Sequence, residues 1–356
     1  MSPRRARHIT SVAVLATAAL AACSPGASTQ TTSEQPDDTV TLVTHDSWSM
    51  PDQVVAAFEE ESGYTLEVVP SGDAGSLTNK LVLTKGNPLG DAVYGIDNTF
   101  ATRAVDEGVL AEHVPAGLPA SVEEHRLEGA AGDQLTPVDW GDVCVNADDR
   151  WFAKNDLTPP RTLDDLLDPA YEGLLVTPGA SSSSPGFSFL LATIGQYGED
   201  GWQEYWADLL DNGAKIVSDW SEAYEVDFTA GGGGGDRPLV VSYHSSPPFT
   251  IPEGERRPTT SALLETCFRQ VEYAGVLEGA ANPEGAKALV DFMVGRTFQK
   301  ALPENMYVVP VDDSVELPPL WDKWAQPAAD PISVPAAEIA QHRSDWIREW
   351  SDVTAR

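Results

Sequence analysis

The chain has 356 residues, of which 42% are hydrophobic, so it is long enough to form two domains with buried cores. Its formal net charge is −33 at pH 7, from 55 acidic and 22 basic residues. A net negative charge of this size repels nucleic acid and anionic lipid headgroups. The sequence also has no cluster of basic residues that could contact phosphates. These properties exclude a nucleic-acid-binding protein.

The N-terminus has the features of a secretory signal. Three arginines and a histidine precede the short apolar run SVAVLATAALAA, which ends at Cys23. The four residues LAAC at the end of this run resemble the lipobox of bacterial lipoproteins, in which the cysteine is lipidated; an ordinary cleavage site is the alternative. We predict a lipoprotein signal peptide over 1–22 and a flexible tether, rich in Ser, Thr and Pro, over 23–38. Segment 1–22 contains three Arg and no acidic residue, so the mature charge is −33 − 3 = −36.

The expected location is the extracytoplasmic face of the cell membrane, reached through the lipid anchor at Cys23 alone. Two further cysteines, Cys144 and Cys267, follow in the chain. A disulfide is permitted outside the cytoplasm, and two cysteines allow a single pairing. The sequence leaves open whether they meet.

Strand and helix patterns alternate from residue 39 onward. Apolar strand patterns occur at 39–44, 65–70 and 91–97, and helical patterns follow at 51–63, 76–88 and 98–111. This alternation predicts an α/β fold with a mostly parallel sheet flanked by helices. Ligands of such folds bind beyond the carboxyl ends of the strands.

Two apolar segments without a following long helix predict crossings between two lobes. The first is LTPVDWGDVCVNA at 135–147, and the second is ETCFRQVEYAGVL at 265–277. The alternation resumes between them, beginning with a predicted helix at 162–173. We assign 39–139 plus 271–356 to lobe 1, with the C-terminal helices, and 140–270 to lobe 2. The cleft between the lobes is the expected ligand site.

The sequence offers no positive sign of catalysis. It has no G-x-S-x-G, HExxH or CxxC motif, and its six histidines are scattered. The serine run SSSSPG at 181–186 is typical of a helix start, with Ser184 as the cap and Pro185 at the first helical position. We therefore expect neither an enzyme, nor a metal centre, nor a cofactor.

Short hydrogen-bonding side chains and aromatics instead indicate a binding site. They cluster at strand ends and helix starts in HDSW, SGDAGS, SSSSPG and YHSSPPF. In VSDWSEAYEV, Asp219 is a suitable N-cap with Glu222 three residues later, which places Trp220 in the first helical turn. The pattern alone leaves open whether Trp220 fills the core or contacts a ligand.

A series of collinear motifs extends over nearly the whole mature chain. Among them are THDSW, GDAGSLTNKL, DAVYGIDNT, PVDWGDVCVN, SSSPGFSFLL, DWSEAYEV, LVVSYHSSP and FMVGRTFQKALPENMYVVPV. The chain thereby resembles the thiamine-binding proteins of bacterial thiamine ABC importers, which have the two-lobed type II periplasmic-binding-protein fold. The resemblance implies capture of thiamine, thiamine monophosphate or thiamine diphosphate between the lobes. It also implies delivery to the permease and ATPase subunits of an ABC transporter.

The resemblance also implies a set of ligand-binding residues. Trp220 corresponds to the family's stacking tryptophan, and Tyr224 is expected to support it from behind. Several positions depart from the family pattern: Ala74 replaces a glycine, Phe249 a common tyrosine, His45 a frequent tyrosine and, conservatively, Ser184 a threonine. The complete expected set is Asp46, Asp73, Ala74, Ser183, Ser184, Trp220, Tyr243, His244, Ser245, Ser246, Pro247 and Phe249.

Three other functions remain open at this point. A polyamine-binding protein would suit the negative charge and the aromatic residues. A ferric-iron-binding protein would need a cluster of tyrosines, and Tyr243 has no adjacent tyrosine. An extracytoplasmic hydrolase would show turnover, which a binding protein lacks.

Overall fold

A computed structural model describes residues 38–355. The predicted signal peptide over 1–22, the lipidation site at Cys23 and the predicted tether up to residue 37 lie outside the described residues. Within the described range, no helix combines the length and the apolar character needed to cross a membrane.

The secondary structure alternates between strands and helices through most of the chain. The strands are β1 Thr39–Thr44, β2 Thr65–Pro70, β3 Ala92–Asp97, β4 Leu110–Ala111, β5 Thr136–Asp148, β6 Leu175–Pro178, β7 Lys215–Val217, β8 Leu239–Tyr243, β9 Thr260–Ala262, β10 Phe268–Leu277 and β11 Val309–Pro310. The helices are α1 Asp52–Ser62, α2 Ala74–Leu83, α3 Ala101–Asp106, α4 Ala120–Glu123, α5 Ala130–Gln134, α6 Asp149–Lys154, α7 Ser184–Tyr197, α8 Trp202–Asp211, α9 Pro283–Met293, α10 Arg296–Met306, α11 Trp321–Trp324 and α12 Ala336–Thr354.

The strands of the described residues form one mixed sheet with the main order β2-β1-β3-β10-β5-β8-β6-β7. Pairing is parallel at both ends of this order, within β2-β1-β3 and within β8-β6-β7. The long strands β10 and β5 lie between these ends and pair antiparallel with each other and with their neighbours. They are the two predicted crossing segments, so the two-lobed α/β fold is confirmed. The exact lobe boundaries stay a prediction.

Apolar spacing explains how the first end of the sheet is covered. On α1, Val54 and Phe58 are four residues apart and therefore lie on one buried face. Phe58 packs in one cluster with Leu42 of β1 and Leu289 of α9. Gly63 ends α1 with a φ of +78°, a left-handed conformation that glycine adopts without steric cost.

The second end of the sheet has a core rich in aromatic residues. Trp206 of α8 contacts Phe189 of α7 edge-on and Trp350 of α12 at an interplanar angle of 89°. The heptad-like spacing of Ile339, Trp346 and Trp350 predicts a core-facing stripe on α12. All three are at most 4% exposed, which confirms this prediction.

Three predicted helices are wrong in extent. The helix predicted over 76–88 spans Ala74–Leu83 instead. The segment 162–173 forms two separate 3₁₀ turns, Asp164–Leu167 and Pro169–Tyr171, because Pro169 cannot continue the first turn and Asp168 caps the second. The helix predicted over 98–111 ends at Asp106, and its last residues form β4. In the segments 162–173 and 98–111, the apolar spacing resembles that of a helix, but the run is too short or too interrupted to form a long one.

A disulfide links Cys144 to Cys267 across 123 positions. Cys144 lies in β5, and Cys267 immediately precedes β10, so the bridge joins the two crossing segments. Both cysteines are fully buried and pack against Ala328. The single available pairing is therefore formed.

Candidate functional site

A cavity of about 270 Å³ lies beyond the carboxyl ends of the strands. Its walls come from residues 45–49 after β1, the aromatic segment 220–225, and residues 305–308 at the end of α10. Asp73 at the start of α2 and Tyr243 at the end of β8 also line it. Both predicted lobes thus contribute to one cavity, as expected for this architecture.

Trp220 occupies the first turn of a helical segment that continues as a π-helix over Glu222–Asp227. The Asp219 carboxylate accepts the backbone N–H of Glu222 at 2.8 Å, as predicted for the cap. The Glu222 carboxylate accepts the backbone N–H of Ser218 at 3.1 Å, one residue earlier than in a standard capping box. The cap therefore fixes where Trp220 enters the cavity wall.

The indole of Trp220 is held mainly by Ser242 and Tyr224. Its Nε1–H donates to the Ser242 hydroxyl at 3.0 Å. Its ring stacks on Tyr224, with centroids 5.0 Å apart and an interplanar angle of 13°. Trp220 is 7% exposed and still lines the cavity, so it both packs in the core and presents a surface to the cavity. Tyr224 stands behind it as a supporting ring.

Asp73 connects the two sides of the cavity. One carboxylate oxygen accepts the backbone N–H of Ala74 at 2.7 Å and so caps α2, while the other accepts the backbone N–H of Trp220 at 3.2 Å. Burial raises the pKa of Asp73, and hydrogen bonds from Ser183 and from the backbone oppose this rise. A carboxylate with these partners ties β2 and α2 to the aromatic segment.

Two further contacts hold the sides together at the same place. The Ser184 hydroxyl donates to Asp97 at the end of β3, and the backbone N–H of Ser76 donates to the Ser182 carbonyl at 3.1 Å. A side chain at Gly75 would place its Cβ 2.9 Å from the Ser182 backbone. Glycine is therefore required at position 75 for this close approach of the two lobes.

Ser183 is the N-cap of α7, so the expectation that Ser184 would be the cap is wrong by one residue. The Ser183 Oγ accepts the backbone N–H of Gly186 at 3.4 Å, and Pro185 occupies the second helical position. The shift frees the Ser184 hydroxyl to reach Asp97. Ser184 also lines the cavity, whereas Ser183 is fully buried behind it.

The run after β8 acts mainly as a scaffold. The Ser246 Oγ lies 2.9 Å from the Ser242 Oγ, which itself receives the indole N–H. The Ser245 hydroxyl donates to the carbonyl of Tyr307. Phe249 contacts the Tyr307 ring edge-on with centroids 3.7 Å apart. These side chains position the cavity-lining Trp220 and Tyr307 without lining the cavity themselves.

His244 and Pro247 face a different place. Both line a second depression on the molecule, away from the aromatic segment. The His244 ring stacks near Trp140, its Nδ1 accepts the backbone N–H of Asp142 at 2.9 Å, and burial lowers its pKa to about 4. His244 is thus a neutral structural residue in this arrangement.

Five of the twelve expected residues line the cavity, namely Asp46, Asp73, Ser184, Trp220 and Tyr243.

An acidic group lies at the floor of the cavity. Glu272 of β10 lines the cavity at 5% exposure, and Asp139 of β5 is fully buried beside it. The Tyr94 hydroxyl donates to Asp139 Oδ2 at 2.6 Å and lies 3.4 Å from Glu272 Oε2. Burial raises the pKa of Asp139 to about 7, and burial together with the Asp139 charge raises the pKa of Glu272 well above its usual value.

His45 completes this floor from the end of β1. Its Nε2 lies 3.6 Å from Glu272 Oε1. A Cβ added to Gly95 would approach the His45 ring to 2.3 Å, and Gly95 has a φ of +98°, so glycine makes room for the imidazole. Nearby, burial raises the pKa of Asp97 to about 7.

Sequence reasoning missed three prominent cavity residues, Glu225, Glu272 and Tyr307. Tyr307 lies within the motif ENMYVVPV, but the sequence alone assigns no role to this tyrosine. It has a left-handed backbone with a φ of +61°, uncommon for a bulky residue and therefore a sign of a constrained site. Glu272 had no local signal, because it sits within an apolar strand far along the chain from the other site residues.

The lining of the cavity carries acids and no lysine or arginine among the described residues. Over residues 38–355, no group of three or more His, Cys, Asp or Glu side chains is arranged to hold a metal ion. The site thus offers aromatic surfaces, hydroxyls and carboxyls, which suit a planar cation.

Comparisons with known proteins agree with this architecture. Residues 87–224 match the model of the bacterial extracellular solute-binding protein family. The chain is 30% identical to the thiamine-binding periplasmic protein of Escherichia coli (strain K12) over 323 residues, covering 89% of this chain and 94% of that protein. It is 31% identical to the thiamine-binding periplasmic protein of Brucella suis biovar 1, over 90% of this chain and 94% of that protein.

A solved structure of a periplasmic thiamin binding protein superposes with a TM-score of 0.76 at 30% identity. The match covers 89% of this chain and 96% of that structure, and therefore includes both lobes. The resemblance seen in the sequence motifs is confirmed. The chain belongs to the family of bacterial thiamine-binding periplasmic proteins.

Proposed function

We propose that this chain is the extracytoplasmic substrate-binding protein of a thiamine importer and that it closes its two lobes around thiamine. The observation that carries the proposal is the stacked pair of Trp220 and Tyr224 at the wall of an acidic cavity. The family membership supports the same ligand class.

The chemistry of thiamine matches the walls of the cavity. Its thiazolium ring is planar and permanently cationic, and the face of a tryptophan attracts such a group with about 2 kcal/mol or more when water is excluded. The aminopyrimidine carries donors and acceptors that the Asp46 and Asp73 carboxyls can meet. Its hydroxyethyl end is small and polar, which suits the Ser184 hydroxyl.

Binding without catalysis is supported by the family membership, since the similar proteins are binding proteins. We therefore propose a binding protein with no cofactor, in which thiamine is the transported ligand. The contacts of Asp73 with Trp220 and of Asp97 with Ser184 then belong to the closed state, and an open state exchanges the ligand.

The remaining partners follow from the class of transport system. A closed, loaded protein would dock onto the permease of an ABC transporter whose ATPase subunits drive release. The lipobox-like LAAC supports attachment to the outer face of the cell membrane through lipidated Cys23.

Calorimetric titration of the purified protein with thiamine tests the proposal, together with quenching of the intrinsic tryptophan fluorescence. We expect one site and no product after prolonged incubation. Spermidine and ferric citrate serve as competitors, because the acidic cavity also suits a polyamine. Absence of thiamine binding, or displacement of thiamine by spermidine at equal concentration, would refute the assignment.

A further inference from the structure

Among the residues that the structure describes, no lysine or arginine balances the buried carboxyl pair Glu272 and Asp139 at the cavity floor. Over residues 38–355, no lysine or arginine forms an ion pair with Glu272 or Asp139, and His45 is the only basic group near Glu272. Two ionised carboxylates held this close in a buried place would repel strongly. The free protein therefore needs another way to limit its charge.

Tyr94 provides the geometry for sharing a proton. Its hydroxyl lies between the two carboxyls, at 2.6 Å from Asp139 Oδ2 and 3.4 Å from Glu272 Oε2. Burial, together with the nearby acids, raises the pKa of the fully buried Tyr94 well above its usual value, so it stays a neutral donor. One carboxyl can then be ionised and stabilised by this donor, while the other stays protonated.

The other groups that face Glu272 do not relieve this requirement. Asp97 at the end of β3 adds a further acid and raises the pKa of Glu272. His45, whose Nε2 lies 3.6 Å from Glu272 Oε1, lowers the pKa of Glu272. Tyr243 of β8 is a neutral phenol whose hydroxyl donates to the Gln270 side chain at 3.1 Å. Among the described residues, the surroundings of Glu272 thus contain an excess of acidic groups and one weak base, His45.

We propose that Glu272 and Asp139 hold one proton between them in the ligand-free protein and that a cationic ligand entering the cavity displaces this proton to solvent. The pair then carries two negative charges against the ligand's positive charge, and Glu272 becomes the residue that selects for permanent cations. This inference rests on the proposed function, because thiamine supplies the cation.

The coupling has a definite direction with pH. A cation favours the ionised pair, so the protein with ligand bound holds fewer protons than the free protein. Affinity for thiamine therefore rises with pH until the free protein itself loses the shared proton, at the raised pKa of Glu272, and levels off above it. An uncharged ligand of the same shape has no such dependence.

The experiment measures proton release by calorimetry of thiamine binding near pH 7 in buffers of different ionisation enthalpy. We expect release of up to about one proton per thiamine bound by the full chain. The thiophene analogue of thiamine keeps both rings and lacks the positive charge. It should bind more weakly, by about tenfold, and release no proton.

Two variants locate the effect. Glu272→Gln should abolish proton release and reduce the preference for thiamine over the thiophene analogue by about tenfold. Asp139→Asn keeps an oxygen for the Tyr94 hydroxyl and should also abolish proton release. Glu67→Gln, which removes an exposed carboxylate on β2, should keep the full proton release.

The outcomes separate this inference from the function on which it rests. Failure of the unsubstituted protein to bind thiamine overturns the proposed function itself. Thiamine binding without proton release, or an unchanged preference for thiamine in folded Glu272→Gln, overturns the role of the carboxyl pair and leaves the function standing.

Discussion

The backbone N–H of Trp220 donates to the Asp73 carboxylate at 3.2 Å, across 147 positions of the chain. The same carboxylate caps α2 through the Ala74 N–H. Asp73 therefore joins the start of a lobe 1 helix directly to the aromatic wall of the cavity. Substitution of this one side chain therefore tests the proposed lobe closure and the proposed ligand contact together.

Replacement of Asp73 by Ala should weaken ligand binding mainly by speeding dissociation. Hydrogen bonds to a charged group contribute about 1.5–3 kcal/mol, so a loss of roughly tenfold or more in affinity is expected. Stopped-flow tryptophan fluorescence with thiamine measures the dissociation rate. Asp73→Asn is the matched control, since it keeps one acceptor oxygen and should have an intermediate rate. An unchanged dissociation rate in Asp73→Ala would show that this contact does not hold the closed state.

Trp220→Ala should lower both affinity and stability. Loss of a desolvated cation–π contact of about 2 kcal/mol corresponds to roughly a 30-fold weaker complex with thiamine. Because Trp220 is 7% exposed, its truncation should also reduce the free energy of unfolding by about 3–5 kcal/mol. Calorimetric titration and urea unfolding measure the two effects separately. Trp220→Phe keeps an aromatic face, loses the Nε1–H donor to Ser242, and should retain most of the affinity.

The phosphorylation state of the ligand should matter in a definite order. The cavity lining among the described residues includes Asp46, Asp73, Glu225 and Glu272, and no lysine or arginine. A phosphate group would approach these carboxyls without a cationic partner. We expect thiamine to bind most tightly, thiamine monophosphate more weakly, and thiamine diphosphate at least about tenfold more weakly than thiamine. Competition titrations with the three ligands, at one ionic strength, check this order; tighter binding of the diphosphate would contradict it.

Local patterns predicted much of the fold because its elements follow simple periodicities. The alternation of strands and helices, the crossing segments and the core-facing Trp346 and Trp350 of α12 depend on apolar spacing alone. The helix predicted over 162–173 is wrong because Pro169 interrupts it. The apolar spacing of the whole segment looks helical and does not reveal the effect of one proline. Boundaries set by one proline or one cap are therefore the least predictable part.

The candidate site was predictable only where local motifs carry it. Asp219 is recognisable as a helix N-cap, which predicts that Trp220 lies in the first helical turn, and the structure shows that cap. Glu272 and Tyr307 reach the cavity through long-range packing, so no neighbouring residues reveal them. Conversely, His244 follows Tyr243 directly in the motif, yet it faces the opposite direction because successive residues of an extended chain alternate sides.

Reduction of the disulfide should destabilise the protein without removing its ligand site. Cys144 and Cys267 close a loop with a sequence separation of 123, and the loss of such a cross-link costs up to about 4–5 kcal/mol through the entropy of the unfolded chain. Urea unfolding of the oxidised protein, the reduced protein and Cys144→Ala/Cys267→Ala should therefore place both altered forms well below the oxidised one. Thiamine affinity in the absence of urea should change by less than about threefold, because the bridge lies in a separate buried cluster with Ala328 and does not line the cavity. Equal unfolding midpoints for the oxidised and reduced proteins would show that the bridge adds no stability to the two crossing strands.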